Sequence, residues 1–246
     1  MPVIYQPSGR AQEYVMINNK PGYALNHYKG CSHGCKYCYG PGATYTTIDE
    51  FLKADQRKDI MVRILKEAPA YRNNTEPILL CFSCDPYQPI DKALELTREI
   101  LQTFQIYNIY SRVLTKGGLN AVRDFDIMRR SRCEFGVSLS WTNDEDRAKW
   151  EPHAMPIQER IESLRIAKQC GIATWASIEP VIDPKQALAV IQAIGPYVDV
   201  FRVGKLNHMP EIEKTIDWWD FAPKVLNTLK DTGRDFYIKK DLRGFL

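Results

Sequence analysis

Short, strongly apolar runs alternate along this chain with longer stretches of helical period. Residues 23–28 (YALNHY), 77–83 (PILLCFS), 109–116, 134–140, 172–179 and 198–204 are brief runs of the kind buried in parallel sheets. Between them lie predicted helices over 47–68, 91–104, 119–130, 156–170 and 184–194. Thr47 and Glu50 have capping-box spacing at the start of the first. Ala93, Leu96, Ile100 and Phe104 form one stripe on the second. Pro156 opens the fourth and Gly171 stops it. A Trp-bearing helix and a short strand at 235–240 close the chain.

Strands that alternate with helices predict parallel β/α units joined by right-handed crossovers. Six or seven such units suit an open or incomplete barrel. No linker or repeat divides the chain, so we expect one domain over 1–246. Its core would run from about 23 to 205, with the closing helix and strand over 211–246.

In β/α barrels the chemistry sits at the C-terminal ends of the strands. The unusual polar residues fall there. Cys31 to Cys38 follow the first predicted strand, and Cys84 and Asp85 end the second. Lys116 ends the third, Ser138 and Ser140 the fourth, and Glu179 the fifth. The topology predicts that they converge on one rim.

Composition changes this picture little. The 246 residues are 44% hydrophobic, enough for a full core, and the net charge of +3 neither demands nor excludes nucleic acid. No apolar N-terminal stretch or membrane-length run is present, so a cytoplasmic protein is expected. There thiols stay reduced, and seven cysteines argue for metal binding or catalysis rather than disulfides.

Cys31, Cys35 and Cys38 are spaced Cys-x3-Cys-x2-Cys, with the aromatic Tyr37 before the last. Three thiolates can hold three irons of a cubane cluster and leave the fourth open. A zinc site would need a fourth ligand, which His33 could supply. The spacing resembles the radical S-adenosylmethionine (radical SAM) superfamily. The segments YKGCSHGCKYCY, CDPYQPID, LTREIL, LTKGGLNAVRDFDIM, WEPHAMP and SIEPVID, in that order, resemble its spore photoproduct lyase-like branch, particularly the short members. The resemblance runs from about Tyr23 to Lys205 and implies an α/β fold, a partial (β/α)6 TIM-like barrel. It also implies a [4Fe–4S] cluster whose open iron is chelated by the methionine moiety of S-adenosylmethionine. Reductive cleavage then yields a 5′-deoxyadenosyl radical that abstracts hydrogen from an unreactive carbon. An electron donor of flavodoxin or ferredoxin type is the implied partner.

By the same resemblance Cys31, Cys35 and Cys38 match the cluster ligands, and Tyr37 the aromatic near the adenine. Tyr39 matches a second tyrosine near the radical path, and Lys116 the lysine that pairs with the cofactor carboxylate. A lysine ending an apolar strand also needs an anion on physical grounds alone. Asp85 can accept from the methionine amino group, and Ser138 and Ser140 suit the ribose hydroxyls or the carboxylate. Glu179 is a ribose or substrate candidate, with a salt bridge to Arg202 as the competing role. Photoproduct lyases carry a hydrogen-donor cysteine two residues before the Ser-Asp pair that ends this strand; Phe82 stands at that offset here. Either Cys84 is a displaced donor thiol or donation is absent, with Cys81 and Cys84 as ordinary small buried residues the competing reading. Strand alternation puts Cys81 on the other face, pointing into the helix layer. Cys133 and Cys170 are expected in the core.

These readings leave three functions. The first is a radical enzyme acting on nucleic acid or a nucleotide, favoured by a basic barrel mouth. The second is one acting on a peptide or small metabolite, favoured by an acidic or closed mouth. The third is a non-enzymatic zinc-binding interaction module.

Overall fold

A computed structural model describes residues 2–17 and 20–246. Its centre is an eight-stranded sheet: β1 (Ile4–Tyr5), β2 (Tyr23–Leu25), β3 (Ile78–Leu80), β4 (Ser111–Thr115), β5 (Cys133–Ser138), β6 (Ala173–Val181), β7 (Val200–Lys205) and β8 (Asp235–Ile238). Spatial order follows chain order, and every pairing is parallel except β1 with β2. Such an order is built when each strand returns through a helix and docks beside its predecessor. The edges β1 and β8 do not pair with each other. The architecture is thus an open α/β sheet of β/α units, as the alternation implied.

The return helices are α1 (Ile60–Glu67), α2 (Leu96–Ile106), α3 (Ile157–Gln169), α4 (Pro184–Ile194) and α5 (Trp218–Asp231). Each buries an apolar stripe: Ile60 and Ile64 on α1, Leu96, Ile100 and Phe104 on α2, Val190, Ile191 and Ile194 on α4. These side chains join Leu80, Val113, Phe135, Val137, Ile178 and Val203 of the sheet in one core.

Several elements differ from expectation. The capping box at Thr47 and Glu50 forms, but its helix ends at Leu52; the 47–68 stretch splits into Ile48–Leu52, a short strand Asp55–Gln56 and α1. That strand pairs with Tyr28–Lys29, so residues 23–28 are not one continuous strand. In 91–104 the left-handed Glu95 breaks the helix, which takes Ala93 out of the stripe to the surface. The 119–130 stretch is 3-10 helix as far as Asp124 and α-helix only over Phe125–Met128. Cys133 is buried as expected, whereas Cys170 is exposed at the end of α3.

Candidate functional site

The strand ends open into a cavity of about 400 Å³. Its wall includes Cys31, Cys35, Tyr37, Cys38, Tyr39, Cys81, Cys84, Asp85, Lys116, Ser138, Ser177 and Glu179. Residues far apart in the chain therefore meet on one rim. Ser140 is the exception: it lies past the end of β5, is buried, and is not on the cavity wall. Two-residue alternation fails there because the strand stops at Ser138.

The cysteine loop is held by close backbone packing. Cys31 N–H donates to the Phe51 carbonyl at 2.9 Å, and Cys38 N–H to the Cys35 carbonyl at 3.0 Å. A Cβ on Gly30 would stand 2.2 Å from the Phe51 oxygen, and one on Gly40 2.3 Å from the Phe51 ring. Gly30 excludes any side chain against that backbone oxygen, and Gly40 would admit one only by displacing the buried Phe51 ring. Gly40 N–H donates to the Cys38 sulfur at 3.3 Å.

Burial pushes all three thiols up, Cys35 to about 12. Thiolates here need compensating cations. Lys116 pulls Cys35 and Cys38 back down, and iron would supply the rest. Among the described residues no three His, Cys, Asp or Glu side chains are arranged to hold a single ion. His33 does not join the thiols in a zinc set; its Nδ1 faces Asp85 Oδ2 at 3.5 Å. Three thiols on one cavity wall, with Lys116 beside two of them, fit one sulfur per iron of a cluster.

Asp85 is more occupied than a free acceptor for an amino group would be. Oδ1 accepts from Thr115 Oγ1 at 2.6 Å and Tyr87 N–H at 2.9 Å, and Oδ2 from Lys116 N–H at 2.6 Å. It ties the loop after β3 to the end of β4 and to the cysteine loop through His33. Lys116 Nζ donates to Ser138 Oγ at 3.1 Å and lies 5.7 Å from the Tyr37 ring centroid. Burial alone would push this ammonium down, but Glu151 and Cys35 outweigh it and hold the net shift upward. Lys116 is a firm cation on the cavity wall.

Tyr37 donates its hydroxyl to Glu151, which also pairs with Arg160 Nη1 at 2.6 Å. Glu151 lies in the WEPHAMP segment, where local spacing assigns it no role. A carboxylate flanked by Trp and Pro, ahead of an amphipathic helix with an inward Arg160, was the available signal. Tyr39 donates its hydroxyl to the Phe82 carbonyl at 2.6 Å.

Two expectations are corrected. Glu179 pairs with Lys239, just past β8, and not with Arg202. Arg202 instead donates to the carbonyls of Glu13 and Met16 at 2.7 and 2.6 Å, away from the rim. Cys81 does not turn into the helix layer; it lines the cavity with Cys84, its sulfur 3.2 Å from His27 Nδ1. The strand ends at Leu80, so alternation does not govern residues 81–84. At the mouth Lys205 faces Glu213 at 3.6 Å, and Asn207 donates to Asp241 at 3.1 Å, so the charge is mixed.

The model of the Radical SAM superfamily matches residues 25–191, more than half of the chain, and the protein belongs to that superfamily. That membership brings S-adenosylmethionine and an iron–sulfur cluster, of the family's standard [4Fe–4S] type, as its cofactors.

Among curated proteins the chain is 28% identical over 186 residues to the uncharacterized protein MJ0683 of Methanocaldococcus jannaschii, covering 70% of this chain and 66% of that one. It is 24% identical over 180 residues to the uncharacterized protein ORF301 of Acidianus two-tailed virus, covering 67% and 58%. The chain thus spans less than two thirds of the length of either relative. A spore photoproduct lyase variant with bound AdoMet and dinucleoside spore photoproduct matches with a TM-score of 0.67 at 14% identity, over 88% of this chain and 76% of that one. SuiB of Streptococcus suis bound to S-adenosylmethionine matches with a TM-score of 0.62 at 14% identity, over 88% and 49%. At these identities the shared feature is the fold. Among the described residues no helix is long and apolar enough to cross a membrane.

Proposed function

We propose that Cys31, Cys35 and Cys38 hold one [4Fe–4S] cluster. Lys116 and Ser138 receive the carboxylate of S-adenosylmethionine, and the enzyme abstracts hydrogen from a nucleotide-type substrate, with Cys84 returning hydrogen to the product. The observation that carries this reading is the meeting of all these side chains on one cavity of about 400 Å³. That volume suits one cofactor-sized ligand, so the substrate enters at the mouth.

When bound, cluster and S-adenosylmethionine together supply a carbon-centred radical able to take hydrogen from an unreactive carbon. The chain does the positioning. Lys116, braced by Ser138 and the Tyr37 ring, offers a buried cation to a carboxylate. Asp85 fixes the backbone of Lys116 and of Tyr87 and also accepts from Thr115 Oγ1, so Oδ2, which His33 faces, keeps at most one lone pair for the amino group. Glu179, held by Lys239, and Ser177 offer polar atoms to a ribose. Tyr39, tied to the Phe82 carbonyl, walls the substrate side. Cys84 presents a thiol, whose weak S–H bond can give up hydrogen.

The nucleotide class rests on likeness to the photoproduct lyase, whose structure holds a dinucleoside photoproduct. The mixed charge at the mouth supports a second reading, a peptide or small metabolite, because no uninterrupted basic track for a phosphate backbone lines it among the described residues. A reductant of flavodoxin or ferredoxin type would supply the electron in either case. The test is anaerobic reconstitution, dithionite reduction and product analysis with dinucleoside, peptide and small-metabolite substrates. Deuterium carried from substrate into 5′-deoxyadenosine by a dinucleoside supports the first reading. Transfer only from a peptide or metabolite supports the second. No 5′-deoxyadenosine under any condition contradicts both.

A further inference from the structure

Cys81 and Cys84 line the cavity outside the cysteine loop, three residues apart in the chain. The Cys84 thiol donates to Asn26 Oδ1 at 4.0 Å and stands close enough to Cys81 to raise that thiol. Cys81 is the deeper of the two, at 3% exposure, while Cys84 is partly exposed. Behind Cys81 stands His27, fully buried, with Nδ1 3.2 Å from the sulfur and Nε2 3.0 Å from Thr97 Oγ1.

The surroundings fix the imidazole tautomer. The Thr97 hydroxyl has two acceptors, the Pro86 carbonyl at 2.5 Å and Asp91 Oδ1 at 2.8 Å, so its single hydrogen is used there. Its oxygen then accepts from His27 Nε2–H, and Nδ1 is left with a lone pair facing the Cys81 thiol. Burial holds His27 down to about 4 and pushes the Cys81 thiol well above its ordinary value, so the ring is neutral near pH 7 and takes the thiol proton only as the Cys81 sulfur attacks. A second thiol, backed by an oriented base, is more than a hydrogen donor at Cys84 requires.

We propose that Cys81 and Cys84 form a redox-active dithiol that closes and reopens by exchange with a small disulfide or thiol entering the cavity, Cys84 meeting it and His27 taking the Cys81 proton. In closure the Cys84 thiolate attacks one sulfur of the small disulfide, and the expelled thiolate takes up the proton that Cys84 released. Cys81 gives its proton to His27 Nδ1, and its sulfur attacks Cys84 in the mixed disulfide. The Cys81–Cys84 bond forms, the second small thiolate leaves, and it takes the proton from His27. Two electrons pass from the dithiol to the small disulfide, and two small thiols result. Reopening is the reverse. The consequence for turnover rests on the reading of Cys84 as hydrogen donor: the closed form has no S–H to give, so the pair sets whether product formation can finish.

The test uses reconstituted holoenzyme under anaerobic conditions in glutathione buffers of stepped reduced-to-oxidised ratio, quenched by alkylation. Tryptic cleavage after Arg72 and Lys92 releases both cysteines in one peptide free of other thiols. The expected result is a reversible shift, as oxidised glutathione rises, from a doubly alkylated peptide to an unalkylated one lighter by two hydrogens. Cys81→Ser should instead accumulate glutathione on Cys84, and His27→Gln should slow loss of that adduct at least tenfold. Full double alkylation at every ratio, or glutathione on Cys81 alone, would overturn the proposal. If His27→Gln does not fold, the wild-type and Cys81→Ser titrations decide it. Formation of 5′-deoxyadenosine, assayed on the same samples, reports separately on the reading of the radical site.

Discussion

Glu151 and Arg160 form an ion pair at 2.6 Å with neither side chain reaching solvent. The same carboxylate accepts the Tyr37 hydroxyl, and Arg160 also donates to the Ser138 carbonyl at 3.1 Å. The backbone of this segment adds two ties to the cysteine loop: Lys36 N–H to the Trp150 carbonyl at 2.9 Å and His153 N–H to the His33 carbonyl at 3.1 Å. One buried pair thus couples the cysteine loop to α3 and the end of β5.

Glu151→Gln leaves Arg160 buried without its counter-charge, a loss of about 3–5 kcal/mol. Urea denaturation of cluster-free protein measures it. Burial alone would raise the Glu151 carboxyl, but Arg160 and Lys116 hold it below its ordinary value. A depressed folded value contributes stability that is complete above the ordinary ~4.3 and is lost as pH falls through the folded value. The gap between wild type and Glu151→Gln should therefore be full near neutrality and shrink below about pH 4. A gap that widens on acidification would contradict this assignment.

Lys116→Ala should weaken S-adenosylmethionine binding by ~2–5 kcal/mol, since it removes the cation facing a carboxylate in a poorly hydrated site. Equilibrium dialysis against the reconstituted protein reads this directly. Unchanged affinity would remove Lys116 from the cofactor site.

Ser138 and Ser140 separate by position. Ser138 Oγ accepts from Lys116 Nζ and lines the cavity, whereas Ser140 is buried off its wall. Ser138→Ala should lower cofactor affinity several-fold, and Ser140→Ala should leave it unchanged. The reverse order in the same dialysis experiment would contradict the geometry.

The strand–helix alternation and the polar residues that end the strands were legible because both follow from short-range pattern. The return helices α3 and α4 lie where periodicity put them to within a residue, and α2 overlaps its predicted stretch for most of its length. What periodicity could not see were the breaks: the left-handed Glu95 and the Leu52–Ile60 interruption. The site was legible in its rim, Cys31 to Lys116, for the same reason. Ser140 and Cys81 were misjudged because alternation was carried past strand ends at Ser138 and Leu80. Glu151, Lys239 and His27 act through contacts between distant segments, which no local spacing encodes.

Cys84→Ala should keep the cluster and the cleavage of S-adenosylmethionine but block or divert the final product, because the thiol hydrogen is gone. Phe82, at the offset of the photoproduct lyase donor, cannot replace it. Product analysis by mass spectrometry, once the substrate is known, separates this from loss of cleavage. Normal product from Cys84→Ala would place the hydrogen donor elsewhere.

The central claim is that Cys31, Cys35 and Cys38 together hold one iron–sulfur cluster. Iron content and visible absorption after anaerobic reconstitution, compared between the wild type and the variant with all three cysteines replaced by alanine, test it most directly. The expected result is about four irons per chain and a brown chromophore in the wild type, as the cluster type requires, with soluble, colourless protein for the variant. A triple variant that retained its iron and its absorption would contradict the account.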